Sequence, residues 1–279
     1  MKAQFENNIM SSFLLYADHV LLRDGEAYTN HGSRLYPVQT KYDGYFAYAT
    51  PFKQIVSDKS IAGANQLTGL YVDGVFSTGN NLYTINHYDG IAYYTSSKNS
   101  NVISGNYAVK DYNVYMTSQS EEQLLFETKL ELKPRVGQEI TGLEQNQRTY
   151  PAIFIKNNGG DSEGFQFGGG LDKTIVNTRM IVLSNSAFTA DAVCGIFKDK
   201  SRTYMNIVNQ GDLPFDAFGG SIDGFNYESI ATGNNLAYIS NVDVFRPTYG
   251  LGARSESVNK NVYSAFIDFE LEVFREPVK

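Results

Sequence analysis

The chain has 279 residues, 42% of them hydrophobic and 19% charged, which is enough to bury the core of one large domain or of two packed ones. The 30 acidic residues outnumber the 23 basic ones, and no Lys- or Arg-rich run occurs, so a protein that wraps nucleic acid through its phosphates is excluded. Cys194 is the only cysteine, which excludes an internal disulfide and a multi-cysteine zinc site.

The first predicted element is an amphipathic helix from Phe5 to Leu21, which Asp24-Gly25 ends. Its apolar residues recur at steps of three and four and fall on one stripe. They are Phe5, Ile9, Phe13, Leu14, Ala17, Val20 and Leu21. We expect the stripe to cover a face of the sheet that follows; docking on a neighbouring subunit is the alternative.

Residues 34–117 predict antiparallel strands joined by tight turns. Three Asp-Gly pairs tolerate the positive φ of a hairpin turn, and strand-forming residues flank them. The pairs are Asp43-Gly44, Asp73-Gly74 and Asp89-Gly90, and the predicted strands are 42–56, 69–76, 81–88, 91–95 and 106–116. The chain is also rich in tyrosine, 20 in all, which suits half-buried strands and subunit interfaces.

The next segment supports two readings. Ser118 and Glu121 have the spacing of a capping box, which favours a helix to about Leu130. Residues 126–132 also alternate in the manner of a strand, and the local pattern does not separate the two.

Residues 133–148 contain Pro134, Gly137 and Gly142 with few periodic apolar residues, and predict an exposed connection. This divides the chain into 1–132, a helix plus an antiparallel β region, and 149–279, an α/β region packed on it. One continuous domain is the alternative.

The second half predicts mostly strands. These are 150–156, 173–183, 202–208, 238–245 and 262–274, with a glycine-rich loop at 157–164 and a helix at 186–198. The predicted fold class is α+β and predominantly antiparallel β, a hairpin-rich sheet or sandwich, with an N-terminal amphipathic helix and a strand-helix-strand unit in the second half.

No catalytic, cofactor-binding or metal-binding residue is predicted. His19, His31 and His87 lack the spacing of metal ligands. Adjacent residues of a helix point about 100° apart, so Asp18 and His19 are interpreted as a solvated helix face and not as an acid-base pair. Cys194 is interpreted as a small core residue.

Other enzymatic signatures are weak. No nucleophile elbow or phosphate-binding glycine loop occurs. Asp161 and Glu163 give a faint calcium signal without the regular pattern of ligands. We therefore expect no enzyme, although a glycosidase whose two carboxylates meet only in space leaves no sequence signature.

Two glycine-containing segments, 25–37 and 164–172, allow close backbone approach. Each is interpreted either as a well-packed turn or as a bulge, hinge or intersubunit contact.

Three segments are similar to a known family: the opening helix with 24–30, the block 70–90, and the closing 266–270. They resemble virion structural proteins of tailed bacteriophages, above all the neck or head-to-tail connector proteins, including tail terminators. The resemblance implies a homo-oligomeric ring, a hexamer or dodecamer, that contacts other virion neck and tail proteins. It implies assembly in the host cytoplasm, location in the virion, DNA that only passes through a channel, and no membrane.

Two further expectations follow from the residues. Asp268, Glu270 and Glu272 fall on one face of the last strand and are predicted to line the channel, where like charges would keep DNA from sticking. Residues 1–8 lack the apolar core of a signal peptide, and no stretch is long and apolar enough for a membrane span, so we expect a soluble protein that is not secreted.

The first alternative is a β-sandwich tail protein that binds carbohydrate on a receptor. Tyrosines can stack on sugars, although the absence of Trp argues against it. A glycoside hydrolase is the third hypothesis.

Overall fold

The computed structural model describes residues 5–42, 44–79, 81–127, 130–132, 148–164, 170–215, 224–233, 235–246 and 262–275. Within them, antiparallel β-sheets dominate, an N-terminal helix opens the chain, and a strand-helix-strand succession lies in the second half. The predicted fold class is therefore confirmed.

The helices are α1 (Phe5–Asp24), α2 (Ala187–Lys198) and α3 (Tyr227–Ile230), with a π-helical turn at Gln123–Glu127 and a 3₁₀ turn at Gln210–Asp212. The strands are β1 (Tyr28–Tyr42), β2 (Tyr45–Ala49), β3 (Leu70–Val72), β4 (Val75–Ser77), β5 (Leu82–Asn86), β6 (Ile91–Tyr94), β7 (Ile103–Lys110), β8 (Asn113–Met116), β9 (Leu130–Leu132), β10 (Arg148–Tyr150), β11 (Ala152–Gly164), β12 (Asp172–Ser184), β13 (Thr203–Asn206), β14 (Leu236–Phe245) and β15 (Tyr263–Arg275).

The strands form two main sheets. The seven-stranded sheet has the order β4-β3-β7-β1-β2-β6-β5 and is antiparallel throughout. The six-stranded sheet has the order β13-β14-β15-β12-β11-β8, and only β8 and β11 are parallel in it. β9 and β10 form a separate parallel pair.

The predicted hairpins are present. At Asp73-Gly74 both residues have positive φ, +50° and +83°, and Val72 pairs with Val75 across the turn. Two consecutive positive φ angles match the right-handed twist of the flanking strands, which is why Asp-Gly is favoured there. Local chemistry therefore favours this turn, and Asp73 is held further by hydrogen bonds from Asn101 Nδ2 and the Val102 N–H.

The turn interpretation of residues 25–37 is wrong from Tyr28 onward, where β1 begins. β1 pairs with β7 at every position from Tyr28 to Leu35, so its backbone is held by a strand about 75 residues away. The small and polar residues of this segment do not predict a strand, because the strand is stabilised by its pairing with β7 and not by its own composition.

The glycine-rich segment 157–164 was predicted as a loop and is instead the second half of β11. It pairs with β12 across a bulge between Asn157 and Gly160. A Cβ at Gly160 would lie 1.9 Å from the carbonyl oxygen of Ile175, so the bulge requires glycine there.

Two predicted strands were too long. The strand 106–116 is split into β7 and β8, which belong to different sheets. The strand 42–56 stops at Ala49, and Gln54 further along has a positive φ of +54°. Periodicity cannot reveal either break, because both halves remain alternating and partly apolar.

A capping box is present, two residues after Ser118. The Gln123 N–H donates to Ser120 Oγ, and the Ser120 N–H donates to Gln123 Oε1. The π-helical turn follows and then β9, so the helical reading and the strand reading each hold for part of 121–132.

α1 packs against the six-stranded sheet and not, as predicted, against the sheet that follows it. Ile9, Phe13, Ala17 and Val20 share one core with residues of β11, β12, β14 and β15. Its C-terminal half also contacts the seven-stranded sheet, through Leu22, which packs against Ala108, and through Asp18, which binds Lys110. The stripe thus covers a face built by distant residues.

The predicted division of the chain at 133–148 stays a prediction, because 133–147 lie outside the described residues. α1 and β8 belong by sequence to 1–132, yet both contribute to the core of the six-stranded sheet.

The predicted helix at 186–198 is confirmed as α2, with Ser186 Oγ accepting the Thr189 N–H as its N-cap. β12, α2 and β13 follow in succession, but β13 pairs with β14 at the sheet edge.

Candidate assembly surface

The six-stranded sheet has two unlike faces. In β15 the odd-numbered residues from Ala265 to Val273 are buried in the core under α1 and α2. Successive side chains of a strand point to opposite faces, so Phe266, Asp268, Glu270 and Glu272 lie on the other side. There Phe266 is buried in a smaller core with Tyr115, Leu124 and Phe154. We call the remaining part of that side, from Asp268, Glu270 and Glu272 to the β13 edge, the open face.

Cations from β12 neutralise much of the acid on the open face. Arg179 donates from Nε to Asp268 Oδ1 at 2.6 Å and from Nη2 to Oδ2 at 2.7 Å, and its Nη1 reaches Glu121. Lys173 Nζ lies 3.0 Å from Glu272 Oε1. The hydrogen bonds to Asp268 and Glu272 raise the pKa of Arg179 and of Lys173, respectively.

The three acids therefore share one face. Glu270 differs from the other two in that it accepts a hydrogen bond from the Ser240 hydroxyl, at 2.9 Å. Their role as a channel lining stays a prediction. The ion pairs weaken the repulsive field that this role would need.

Aromatic side chains lie at the β13 edge of the open face. Tyr204 and Tyr238 are register partners with ring centroids 5.0 Å apart, and Tyr204 is 62% exposed. Leu236, which follows on the same face, is also exposed. At the far end of β14, the exposed Phe245 stacks on Phe266. Exposed aromatic groups that are grouped in this way are typical of a surface that another molecule covers.

The β8 edge of the sheet is blocked by a side chain. Gln54 Nε2 donates to the Val114 carbonyl at 3.2 Å, and the Val114 N–H donates to Gln54 Oε1 at 2.9 Å. The buried amide of Gln54 thus takes the place of another strand, which is one way in which proteins protect a sheet edge.

The second half of β11 extends beyond β8, which pairs only with Ala152 to Ile155. Residues 157–164 are all exposed. Two of their amides donate to side chains of the strand itself, Gly159 N to Asn157 Oδ1 and Ser162 N to Asp161 Oδ1. Asp161 and Glu163, the residues of the weak calcium signal, are exposed on this edge.

A groove of about 480 Å³ lies between the seven-stranded sheet and α2. The predicted segment 25–37 contributes Thr29 and His31 to its wall, and Asp111 and Asn185 lie on its rim. Thr29 donates to Asp111, and the His31 ring packs 4.6 Å from that of Phe52. The volume is in the range of small-molecule sites.

Asp18 and His19 are buried, so their interpretation as a solvated helix face is wrong. α1 lies between the two layers, and both of its sides find partners. Asp18 binds Lys110 Nζ at 2.7 and 2.8 Å, while His19 Nδ1 lies 2.7 Å from Asp58 Oδ2 and its ring stacks on Tyr227. As the 100° separation predicts, the two residues bind different groups.

Asp58, which sequence reasoning missed, is a junction between three segments. It also accepts bonds from the Ser60 N–H and Oγ and from the Tyr227 N–H. Burial alone would raise the pKa of Asp58, but these bonds together with His19 hold it below its usual value. An isolated Asp in a loop gives no sequence signal of such a role.

Cys194 is buried, and burial raises the pKa of its thiol, which makes it a poor nucleophile. Among the described residues, no three His, Cys, Asp or Glu side chains come together in a way that could hold a metal ion. In the segment 164–172, residues 165–169 lie outside the described part.

No helix in the described ranges is long and apolar enough to cross a membrane. No protein-family model matches this chain, and no curated protein matches its sequence significantly.

Proposed function

We propose that this protein is a structural subunit of a tailed-bacteriophage virion. It forms a ring at the neck or tail, as a head-to-tail connector or a tail terminator, through contacts between its own copies. The ring of six or twelve subunits binds other neck and tail proteins and lets DNA pass without reading its sequence.

The observation that carries the proposal is the open face with its aromatic edge. Helices cover one side of the six-stranded sheet, whereas Tyr204, Tyr238 and Leu236 remain at the rim of the other. A sheet gains stability when its apolar groups are buried on both sides. A neighbouring subunit is the simplest cover for them.

The segments that resemble connector proteins support the proposal in another way. They form α1, the β3-to-β6 hairpins and the centre of β15, all of which build the scaffold. A protein whose work is shape and self-complementary surface has its distinctive residues in such elements.

Light scattering across a range of concentrations, followed by imaging of large species, tests the proposal. We expect a discrete species of six or twelve chains of 31.1 kDa, visible as rings. A monomer at every concentration would contradict self-assembly into a ring.

A matched pair of variants locates the contact. Tyr204→Ser should weaken assembly, because it removes an exposed ring from the open face. Tyr83→Ser removes a ring that is equally exposed, 61% against 62%, but lies on the seven-stranded sheet, and should leave the species unchanged. If both changes weakened assembly equally, the open face would not be the surface through which the subunits contact each other.

A receptor-binding tail protein is the second candidate, and the groove is the observation that favours it. Asp111, Asn185 and Thr29 offer polar groups beside the His31 and Phe52 rings, a combination suited to a neutral sugar. A trimer in solution and binding on a glycan array would favour this function over the ring.

A further inference from the structure

We infer that neighbouring copies join the exposed edge of β11 to the edge of β13, so that one six-stranded sheet continues into the next. The inference rests on the proposed ring and identifies which surfaces of two copies meet in it. We call residues 157–164 the acidic edge and residues 198–206 the basic edge.

The acidic edge is suited to accept a strand. It is extended by its pairing with β12, it is fully exposed, and it lies beyond the last residue that β8 covers. The Ser162 N–H, which donates to the carboxylate of its own neighbour, is an amide that a partner strand could take over. Strand addition to an open edge is a common way of joining chains.

The basic edge is the opposite end of the same sheet. β13 is the terminal strand of the described order and pairs with β14 on one side. Three cations precede it against the single acid Asp199: Lys198 at the end of α2, and Lys200 and Arg202 in the turn before β13. Lys198 and Arg202 are exposed. Lys200 is already paired with Asp24 at 2.5 Å.

Charge decides which edges pair. Asp161 and Glu163 would face each other if two acidic edges met, and like charges directly opposite one another destabilise a sheet. Two basic edges in contact would likewise bring together the cations that precede β13 in each copy, Lys198 and Arg202, and these like charges repel. Each copy carries one edge of each sign, so the favoured contact is head-to-tail, and head-to-tail contacts that close generate rings.

The blocked β8 edge agrees with this arrangement. Gln54 occupies the outward N–H and C=O of Val114. A partner strand therefore cannot pair with β8. It can pair with β11 only from Asn157 onward, where β8 no longer covers the edge. The open edges in the described sheet are thus the acidic edge and β13.

Charge reversal with rescue is the first test. Asp161→Lys with Glu163→Lys, or Lys198→Glu with Arg202→Glu, turns each attraction into a repulsion, and we expect assembly to weaken by at least about tenfold. The fourfold variant carries both reversals, restores opposite signs across the contact, and should assemble again. Glu26→Lys, at an exposed acid outside both edges, is the control and should change nothing.

Cross-linking is the second test. Ser162→Cys and Tyr204→Cys together should give, on oxidation of the assembled protein, a ladder of covalent multimers up to the ring number. Either change alone should give dimers at most. Cys194 is buried and should not compete.

The outcomes separate this inference from the function on which it rests. If rings persist in both double-reversal variants and the paired cysteines give no ladder, the edge contact is wrong, but the proposed ring is not contradicted. A wild-type chain that remains a monomer overturns both. Loss in the double reversals with recovery in the fourfold variant supports the contact, because misfolding would not be rescued.

Discussion

At the residue scale, Asp58 is a buried carboxylate that joins three segments of the chain. It is fully buried, it accepts four hydrogen bonds, and its backbone forms a bridge with Phe225. Its partners come from α1, from its own loop and from α3. A buried charge is tolerated only when it is bonded in this way.

Asp58→Asn should lower the free energy of unfolding by about 1.5–3 kcal/mol, the range for losing a hydrogen bond to a charged group. The amide keeps the shape but cannot accept all four bonds. Denaturant unfolding at pH 7 would measure the loss. A change below about 0.5 kcal/mol, the level of ordinary surface substitutions, would contradict the assigned role.

The effect should depend on pH in a defined direction. The pKa of Asp58 is lower in the folded chain than the ordinary 3.8, so its contribution is present above about pH 4 and is lost as the pH falls through the folded value. The difference between wild type and Asp58→Asn should therefore shrink in acid. Asp73, whose pKa is also lowered by hydrogen bonds but which is exposed, is the matched control, and Asp73→Asn should cost little.

At the scale of elements, those that local signals define were predicted, whereas those held by pairing with distant strands were not. α2 and β15 were predicted within one residue of their observed ends, because a serine cap and strict alternation are local signals. β1 and the second half of β11 were missed. Both are held by pairing with β7 and β12, and their own residues are small and polar.

Gly160→Ala tests this account of β11. The added methyl would lie 1.9 Å from the Ile175 carbonyl oxygen, so the bulge must shift, and we expect a cost of roughly 1–3 kcal/mol, typical of overpacking. Hydrogen exchange of the β11 and β12 amides, together with thermal melting, would detect it.

Gly164→Ala is the control in the same strand. A Cβ at Gly164 meets no atom of the described residues within 4 Å, so we expect this change to be neutral. Equal behaviour of the two variants would mean that the bulge between Asn157 and Gly160 does not determine the strand.

At the scale of the whole molecule, α1 lies between the two sheets. Most of its buried residues belong to the core of the six-stranded sheet, and Leu22 joins Val56, Ile61 and Ala108 of the other layer. Asp18 with Lys110, and Gln54 with Val114, add buried polar bonds between the layers.

The two sheets should therefore unfold together. We expect a single transition on heating, with far-UV circular dichroism and the near-UV tyrosine signal coincident, because each layer loses contacts when the other melts. Two separate transitions would contradict this. Lys110→Met removes the ion pair with Asp18 and should lower the midpoint of thermal unfolding while leaving a single transition. Such a result would mean that the contact between the two layers is weakened and not lost.

The sequence by itself determined what depends on neighbouring residues: the Asp-Gly hairpin, the capped helix, the alternating last strand, and the absence of recognisable catalytic motifs. The tertiary structure alone decided which sheet α1 covers, that Asp18 and His19 are buried, that Gln54 blocks one edge, and that Asp161 and Glu163 lie on another. Most of these depend on contacts between residues far apart in the sequence, such as His19 with Asp58, 39 positions apart, and Phe13 with Phe269, 256 positions apart. A local pattern states which face is apolar, but only the folded chain determines what covers that face.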